Sequence, residues 1–177
     1  MDVIECDDLR RDAWDEYVRR TPGASFYHLY DWRRINEGEF GHRSFYLAAL
    51  SDNQIAGVLP IVQLRSRIFG NLGCSMPFVN FGGPCVESLD AEEALLREAG
   101  RLVSRERMAY LEMRNRRPIG ADLPTSDRKV SMTVDLDTDS ELLWKRFTTD
   151  HRRDIHHAYK NGHTARVGDA EHLPNFY

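Results

Sequence analysis

Apolar and polar positions along the chain fall into blocks whose period changes several times, and each block predicts an element. Val3-Ile4-Glu5-Cys6 predicts a short first strand. From Arg11 to Arg20 the period is helical: Trp14, Tyr17 and Val18 fall on one face, and Thr21-Pro22-Gly23 stops the helix. Ser25-Phe26-Tyr27-His28 reads as extended and aromatic, and Asp31 to Glu37 as a second helix that buries Trp32 and Ile35. Two strands follow, Ser44–Leu50 and Gln54–Val62. Asp52-Asn53 joins them, and both residues tolerate the left-handed angles of a two-residue hairpin turn. Pro60 cannot donate to a ladder, so its strand has a bulge or an edge there. Beyond the basic loop Arg65–Gly70, Asn71–Met76 is the next predicted strand.

The clearest helical pattern runs from about Leu89 to Arg107. Ser88 or Asp90 can cap it, and Ala91, Leu95, Ala99, Leu102 and Val103 form its apolar stripe. Ala109–Arg114 is the strand after it, and a helix between two strands suggests a crossover with some parallel pairing. Glu112 and Arg114 fall on one side of that strand, Leu111 and Met113 on the other. Val130–Leu136 alternates strictly and predicts a half-buried strand. Ser140–Phe147 and Asp150–Asn161 predict two helices, the second stopped by Gly162, and Thr164–Val167 a last strand. The sum is an α/β (α+β) domain with a mixed, partly antiparallel central sheet flanked by helices.

One stretch has no period. Gly73-Cys74-Ser75-Met76-Pro77-Phe78-Val79-Asn80-Phe81-Gly82-Gly83-Pro84 is punctuated by prolines, aromatics and paired glycines. Gly82-Gly83 can take positive φ and admits a close approach to its backbone, while Pro77 and Pro84 push the preceding residue toward extended geometry. It reads as a stiff aromatic segment after a strand, serving either as a cleft wall or as a buried connector. His28, among its aromatic neighbours, is either a cleft residue or a histidine hydrogen-bonded at the edge of the core.

Composition narrows the class. The 177 residues carry 24 Lys and Arg against 28 Asp and Glu, a formal charge of −4, which gives no global case for nucleic-acid binding. A local basic group does exist: Lys145, Arg146, Arg152, Arg153 and Lys160 lie on consecutive helices with His151, His156 and His157. It is a solvated face or an anion contact, with RNA binding as a third reading of the chain. Cys6, Cys74 and Cys85 show no zinc-type spacing, and HExxH, GxSxG, P-loop and GxGxxG motifs are absent, so neither a metal nor a catalytic residue can be named. No run approaches a membrane span and no signal segment is visible, so a cytoplasmic protein is expected. The last residues, Leu173-Pro174-Asn175-Phe176-Tyr177, lack a polar tail and suggest a truncated frame.

Taken in order, Phe26-Tyr27-His28…Trp32, Gly57-Val58-Leu59-Pro60, Ser75-Met76-Pro77-Phe78…Phe81-Gly82-Gly83 and Leu111-Glu112-Met113-Arg114 resemble the Fem-like acyltransferases, including the FemAB-related proteins of exopolysaccharide and exosortase systems. Arg152-x-x-Ile155-x-x-Ala158-x-x-x-Gly162 is similar to that family's helix ending in Gly, and Phe176-Tyr177 to the aromatic pair opening its second half. The resemblance implies a GNAT-like (N-acetyltransferase) unit over residues 1–168 and the start of a second unit at 169–177. It also implies transfer of an acyl or aminoacyl group to an amine of a cell-wall or polysaccharide precursor. Phe78, Asn80, Gly82 and Gly83 would form the cleft wall, Glu112 and Arg114 would orient a polar substrate, and Arg152 would contact a phosphate or the neighbouring unit. The acceptor would be a small molecule or a nucleotide-linked glycan or peptide, met in the cytoplasm or at the inner face of the membrane. No bound cofactor is expected; the acyl donor would be aminoacyl-tRNA or acyl-CoA. For the latter, Arg67–Gly73 departs from the Gln/Arg-x-x-Gly-x-Gly/Ala loop that precedes a helix in CoA-dependent members. The other reading is a non-catalytic binding module of the same fold in a polysaccharide-export or cell-surface assembly.

Overall fold

The computed structural model describes residues 1–120, 122–126 and 130–175. They form two compact units, Met1–Arg128 and Lys129–Tyr177. The first contains β1 (Asp2–Glu5), α1 (Arg11–Arg20), α2 (Trp32–Gly38), β2 (Arg43–Ser51), β3 (Gln54–Ser66), β4 (Gly70–Cys74), β5 (Cys85–Val86), α3 (Leu89–Arg105) and β6 (Leu111–Glu112). Its sheet has the order β1-β2-β3-β4-β6, with β5 also paired to β3. All pairings are antiparallel except β4 with β6. This is the expected class, a mixed α/β sheet flanked by helices.

The apolar run in β2 is long because both faces of the strand are covered. Phe45, Leu47 and Ala49 pack with Leu59 and Ile61 beneath the α3 stripe of Ala91, Leu95, Ala99 and Leu102. Tyr46 and Ala48 point the other way, into Trp14, Tyr17 and Val18 of α1 and into Tyr30. Burying a side chain such as Leu95 stabilises the fold by roughly 1.5–3 kcal/mol. The β2–β3 hairpin turns through Asp52 and Asn53 at φ 48° and 66°, as the residue types predict.

β3 runs beyond Val62 to Ser66, longer than the hydrophobic pattern suggests, because the ladder with β4 carries it through Gln63–Ser66. Its turn is closed by Ser66 Oγ, which accepts from the N–H groups of Ile68 and Phe69 at 3.1 and 3.2 Å. Pro60 lies inside this strand. β5 pairs with Gly57 and Val58 while β4 pairs with Val62–Ser66, so Leu59–Ile61 lack a strand partner on that side. The irregularity at Pro60 is therefore a local edge; the register shift of the β2–β3 ladder falls at Ala49/Leu50.

The predicted crossover is present: α3 connects the two parallel strands β4 and β6. Only Leu111 and Glu112 of the expected Ala109–Arg114 strand are assigned to β6, but backbone bonds extend the pairing. Ala109 N–H donates to Asn71 O (2.8 Å), Gly73 N–H to Tyr110 O (2.9 Å) and Ser75 N–H to Glu112 O (2.8 Å). In α2 the sequence reading needs correcting: Ile35 is exposed, and the buried residue is Asn36, whose Nδ2 donates to Trp32 O at 2.8 Å.

The second unit holds α4 (Ser140–Arg146) and α5 (Thr149–Lys160). Asp139 caps α4 and Thr148 caps α5, and Gly162 follows α5 at φ 76°, the left-handed stop its sequence predicts. The expected strands Val130–Leu136 and Thr164–Val167 are not formed. Val130, Met132, Val134 and Leu136, the apolar side of the alternating pattern, are exposed, Met132 to 92%. Alternation specifies a face but supplies no ladder partner, and a strand without a partner does not hold. Among the described residues of this unit none is buried; Leu143, Trp144 and Phe147 of the α4 region, and Arg152, Ile155 and Ala158 of α5, are half-buried. The Phe176-Tyr177 pair lies outside the described residues.

Candidate functional site

The aperiodic stretch sits at the carboxyl ends of the two parallel strands. β4 stops at Cys74, the chain leaves the sheet, and it returns eleven positions later as β5 on the same strand β3. Ser75 anchors the departure: it is fully buried, and its Oγ accepts from Arg114 N–H at 2.8 Å. The carbonyl of Arg114 anchors the return, accepting from both Gly82 N–H and Gly83 N–H at 3.1 Å.

The glycines are needed for close approach rather than for positive φ. A Cβ on Gly82 would lie 2.7 Å from Met76 Cγ and 2.8 Å from Ser75 O; one on Gly83 would strike Asn115 Oδ1. Positive φ falls instead on Met76 (58°) and Phe78 (67°). Met76 therefore departs from the extended geometry expected before Pro77, and Phe78 is a bulky residue in a region that disfavours it. Such strain persists where surrounding contacts over-determine the backbone. Here they do: Arg114 Nη1 donates to Val79 O at 2.7 Å, and Met76 is fully buried with its sulfur 3.8 Å from Tyr46 Oη.

Of the expected wall residues, Phe78 is 66% exposed, with its ring 5.0 Å from that of Phe40 and 6.2 Å from that of His42. Asn80 is exposed on the same loop, while Gly82 and Gly83 are buried behind it. Glu112 and Arg114 do share a side, and they hold each other: Arg114 Nε to Glu112 Oε1 is 2.8 Å. Arg152 belongs to the second unit, half-buried on the α5 stripe with Ile155 and Ala158. The basic face around it carries local ion pairs, Arg153 with Asp150 at 2.9 Å and with Asp154 at 3.5 Å.

His28 proves to be the link between the loop and the helical layer. It is 3% exposed, and its Nε2 lies 2.8 Å from Gly83 O, which can only accept. Nε2 therefore carries the proton, and Nδ1 accepts from Ser25 N–H at 3.1 Å. Burial lowers its pKa below the ordinary 6.5, outweighing these two bonds, and the nearby Arg116 charge acts in the same direction as burial. Beside it is a hollow of about 130 Å³, bordered by His28, Phe81, Gly83, Arg114, Arg116 and Arg117, among others.

Sequence reasoning passed over Ser75, Asn115, Arg116 and Arg117. The run Arg114-Asn115-Arg116-Arg117, three cations in four residues just after a strand of a net-acidic chain, was the available signal. No signal marks Ser75, whose role depends on a partner 39 positions away. The thiols add no nucleophile: burial pushes Cys6, Cys74 and Cys85 up to about 11, so they are protonated near neutral pH.

The start of α3 does not fit the pyrophosphate of acyl-CoA. Glu87, Asp90, Glu92 and Glu93 crowd it with negative charge. Two of its first four N–H donors are also in use, Ala91 to Ser88 Oγ and Glu92 to Ser88 O, both at 3.2 Å. Glu92 is itself buried, with Oε1 accepting from Gly120 N–H at 2.6 Å. A pyrophosphate would meet repulsion where it needs free donors.

No family model matches the sequence, and no curated protein matches it. Among solved structures the chain is similar to FemX, at 16% identity and TM-score 0.43, over 61% of this chain and 25% of FemX. It is also similar to the aminoglycoside 6'-N-acetyltransferase AAC(6')-IG of Acinetobacter haemolyticus, at 13% identity and TM-score 0.47, over 77% of this chain and 100% of that one. A third is the ribosomal-protein-alanine N-acetyltransferase of Brucella melitensis biovar Abortus 2308, at 13% identity and TM-score 0.48, again over 77% and 100%. The chain thus spans about a quarter of the FemX structure it matches.

Proposed function

We propose that this chain is the acceptor-side unit of a Fem-like, GNAT-type N-acyltransferase, acting on an amine of a cell-wall or polysaccharide precursor at the cytoplasmic face of the membrane. The observation that carries this reading is the Ser75–Pro84 loop at the carboxyl ends of β4 and β6. Crevices at that end of parallel strands are where open α/β sheets bind ligands. Arg114 fixes the loop through Val79 O, and the N–H groups of Phe78 and Asn80 make no hydrogen bond among the described residues. Rigidly held free N–H groups are what an acyl-transfer oxyanion requires. Phe78 and Asn80 supply an aromatic and a polar edge for the acceptor, and Gly82 and Gly83 close the wall behind them. The donor would be aminoacyl-tRNA or acyl-CoA; the acidic start of α3 argues only against that helix as a pyrophosphate site.

The binding-module reading rests on a different observation. An attacking amine must lose a proton. Both ring nitrogens of His28 are engaged, Glu112 is paired with Arg114, and the thiols are protonated. Beside the loop this leaves His42, whose ring lies 6.2 Å from that of Phe78 and makes no hydrogen bond among the described residues, so the binding-module reading requires that His42 take no proton from the amine. Thermal shift with a nucleotide-linked muropeptide and with acetyl-CoA tests the acceptor-side reading. It predicts a saturable rise in melting temperature with the first and none with the second; no rise with the muropeptide removes it. Muropeptide binding with no acyl transfer from any aminoacyl-tRNA, even when a second unit is supplied, would select the binding module.

A further inference from the structure

We propose that the hollow between Phe81–Val86 and Arg114–Ile119 is an oxyanion site that takes a carboxylate or phosphate group through Arg116 and Arg117. None of the residues bordering it is acidic, although the chain as a whole carries −4. Of its three arginines, Arg114 is already neutralised by Glu112 and tied to Val79 O. The other two are not ion-paired among the described residues. Arg117 gives only Nη2 to Val86 O, at 3.0 Å, and the Arg116 guanidinium lies over the Phe81 ring at 5.3 Å. Each guanidinium has five N–H donors in a planar fork that matches an oxyanion two bonds at a time, so most of this donor capacity is uncommitted. Two adjacent cations repel each other, and a bound anion relieves that repulsion as well as accepting their bonds.

The floor favours the same ligand. Burial favours the neutral form of His28, whose two ring nitrogens are engaged by Ser25 and Gly83, and Gly83, lacking a Cβ, keeps the backbone low. At about 130 Å³ the hollow is smaller than a site for a whole drug-sized ligand, so it suits one charged end group. In the acyltransferase reading this group belongs to the acceptor; the anion site itself does not require that reading.

The test is a titration of the full chain with inorganic phosphate and, separately, acetate, at ionic strength held constant with chloride. Nitrogen-15 NMR would follow the Arg116 and Arg117 Nε–H signals and the Gly82–Val86 amides. Saturable shifts at these signals are expected with at least one anion; phosphate alone would assign a phosphate ligand, acetate alone a carboxylate. Arg116→Ala removes no backbone hydrogen bond and should weaken binding about tenfold or more. Arg116→Lys should recover part of the loss, and Arg117→Ala should also weaken binding. Shifts that never saturate, or an affinity unchanged by both alanine substitutions, would overturn the proposal. Because the readout is binding, a chain inactive in acyl transfer that still binds the anion leaves the site standing. Acyl transfer to a neutral acceptor without anion binding would overturn the site alone.

Discussion

His28 and Gly83 show how single residues fix the loop. Free in the unfolded chain, His28 takes a proton near pH 6.5; folded, it resists until lower pH because burial disfavours the cation. Below about 6.5 the unfolded state therefore binds more protons, and stability falls as pH drops through this value toward the depressed folded pKa. Melting curves from pH 7.5 to 5 should show a steeper decline for the parent than for His28→Gln; parallel declines would mean that His28 is not the linked group. At Gly83 the neighbouring Asn115 leaves no room for a side chain, so Gly83→Ala should cost about 1–3 kcal/mol by urea denaturation. Gly23→Ala is the control, since a Cβ there meets nothing within 4 Å. The sequence made the glycine pair visible with two reasons for it, positive φ and close approach, but not which of them holds. The close contacts come from Met76 and from Asn115, a residue beyond a distant strand. His28 was legible as an aromatic-flanked candidate, while its partner Gly83 O, 55 positions on, was not.

At the scale of elements, patterns that specify both a face and a partner were readable, and patterns that specify only a face were not. α3 carries its stripe and its cap in sequence, and Ser88 does cap it. Leu95→Ala should cost about 2–5 kcal/mol, and Ser88→Ala about 1 kcal/mol, measured by denaturant unfolding. The β2–β3 hairpin likewise announces its own turn. Val130–Leu136 alternates as cleanly as any stretch of the chain and yet forms no strand, because nothing local can pair with it. Its amides should exchange with solvent far faster than those of Phe45–Ala49 in a hydrogen-exchange experiment. Protection at Val130–Leu136 equal to that of β2 would show that the segment has found a partner. The β4–β5 interruption was half legible: Pro60 marks a missing donor, but the loop that fills the gap follows from the pairing of two separate strands with β3.

At the scale of the whole molecule, no helix among the described residues is long and apolar enough to cross a membrane. The first unit brings Phe78, Asn80, Gly82, Gly83, Glu112 and Arg114 to one end of the sheet, whereas Arg152 belongs to the second unit. The charge at the start of α3 predicts no saturable binding of acetyl-CoA there; loss of amide signals or saturable shifts at Leu89–Glu92 on adding acetyl-CoA would contradict this. On the proposed function the Ser75–Pro84 loop is the acceptor wall, and nitrogen-15 NMR of the full chain titrated with a nucleotide-linked muropeptide tests that role most directly. An acceptor wall predicts saturable shifts concentrated at the Phe78–Gly83 amides and weakened by Phe78→Ala. Shifts that do not saturate, or that map to another face and ignore Phe78→Ala, would contradict it.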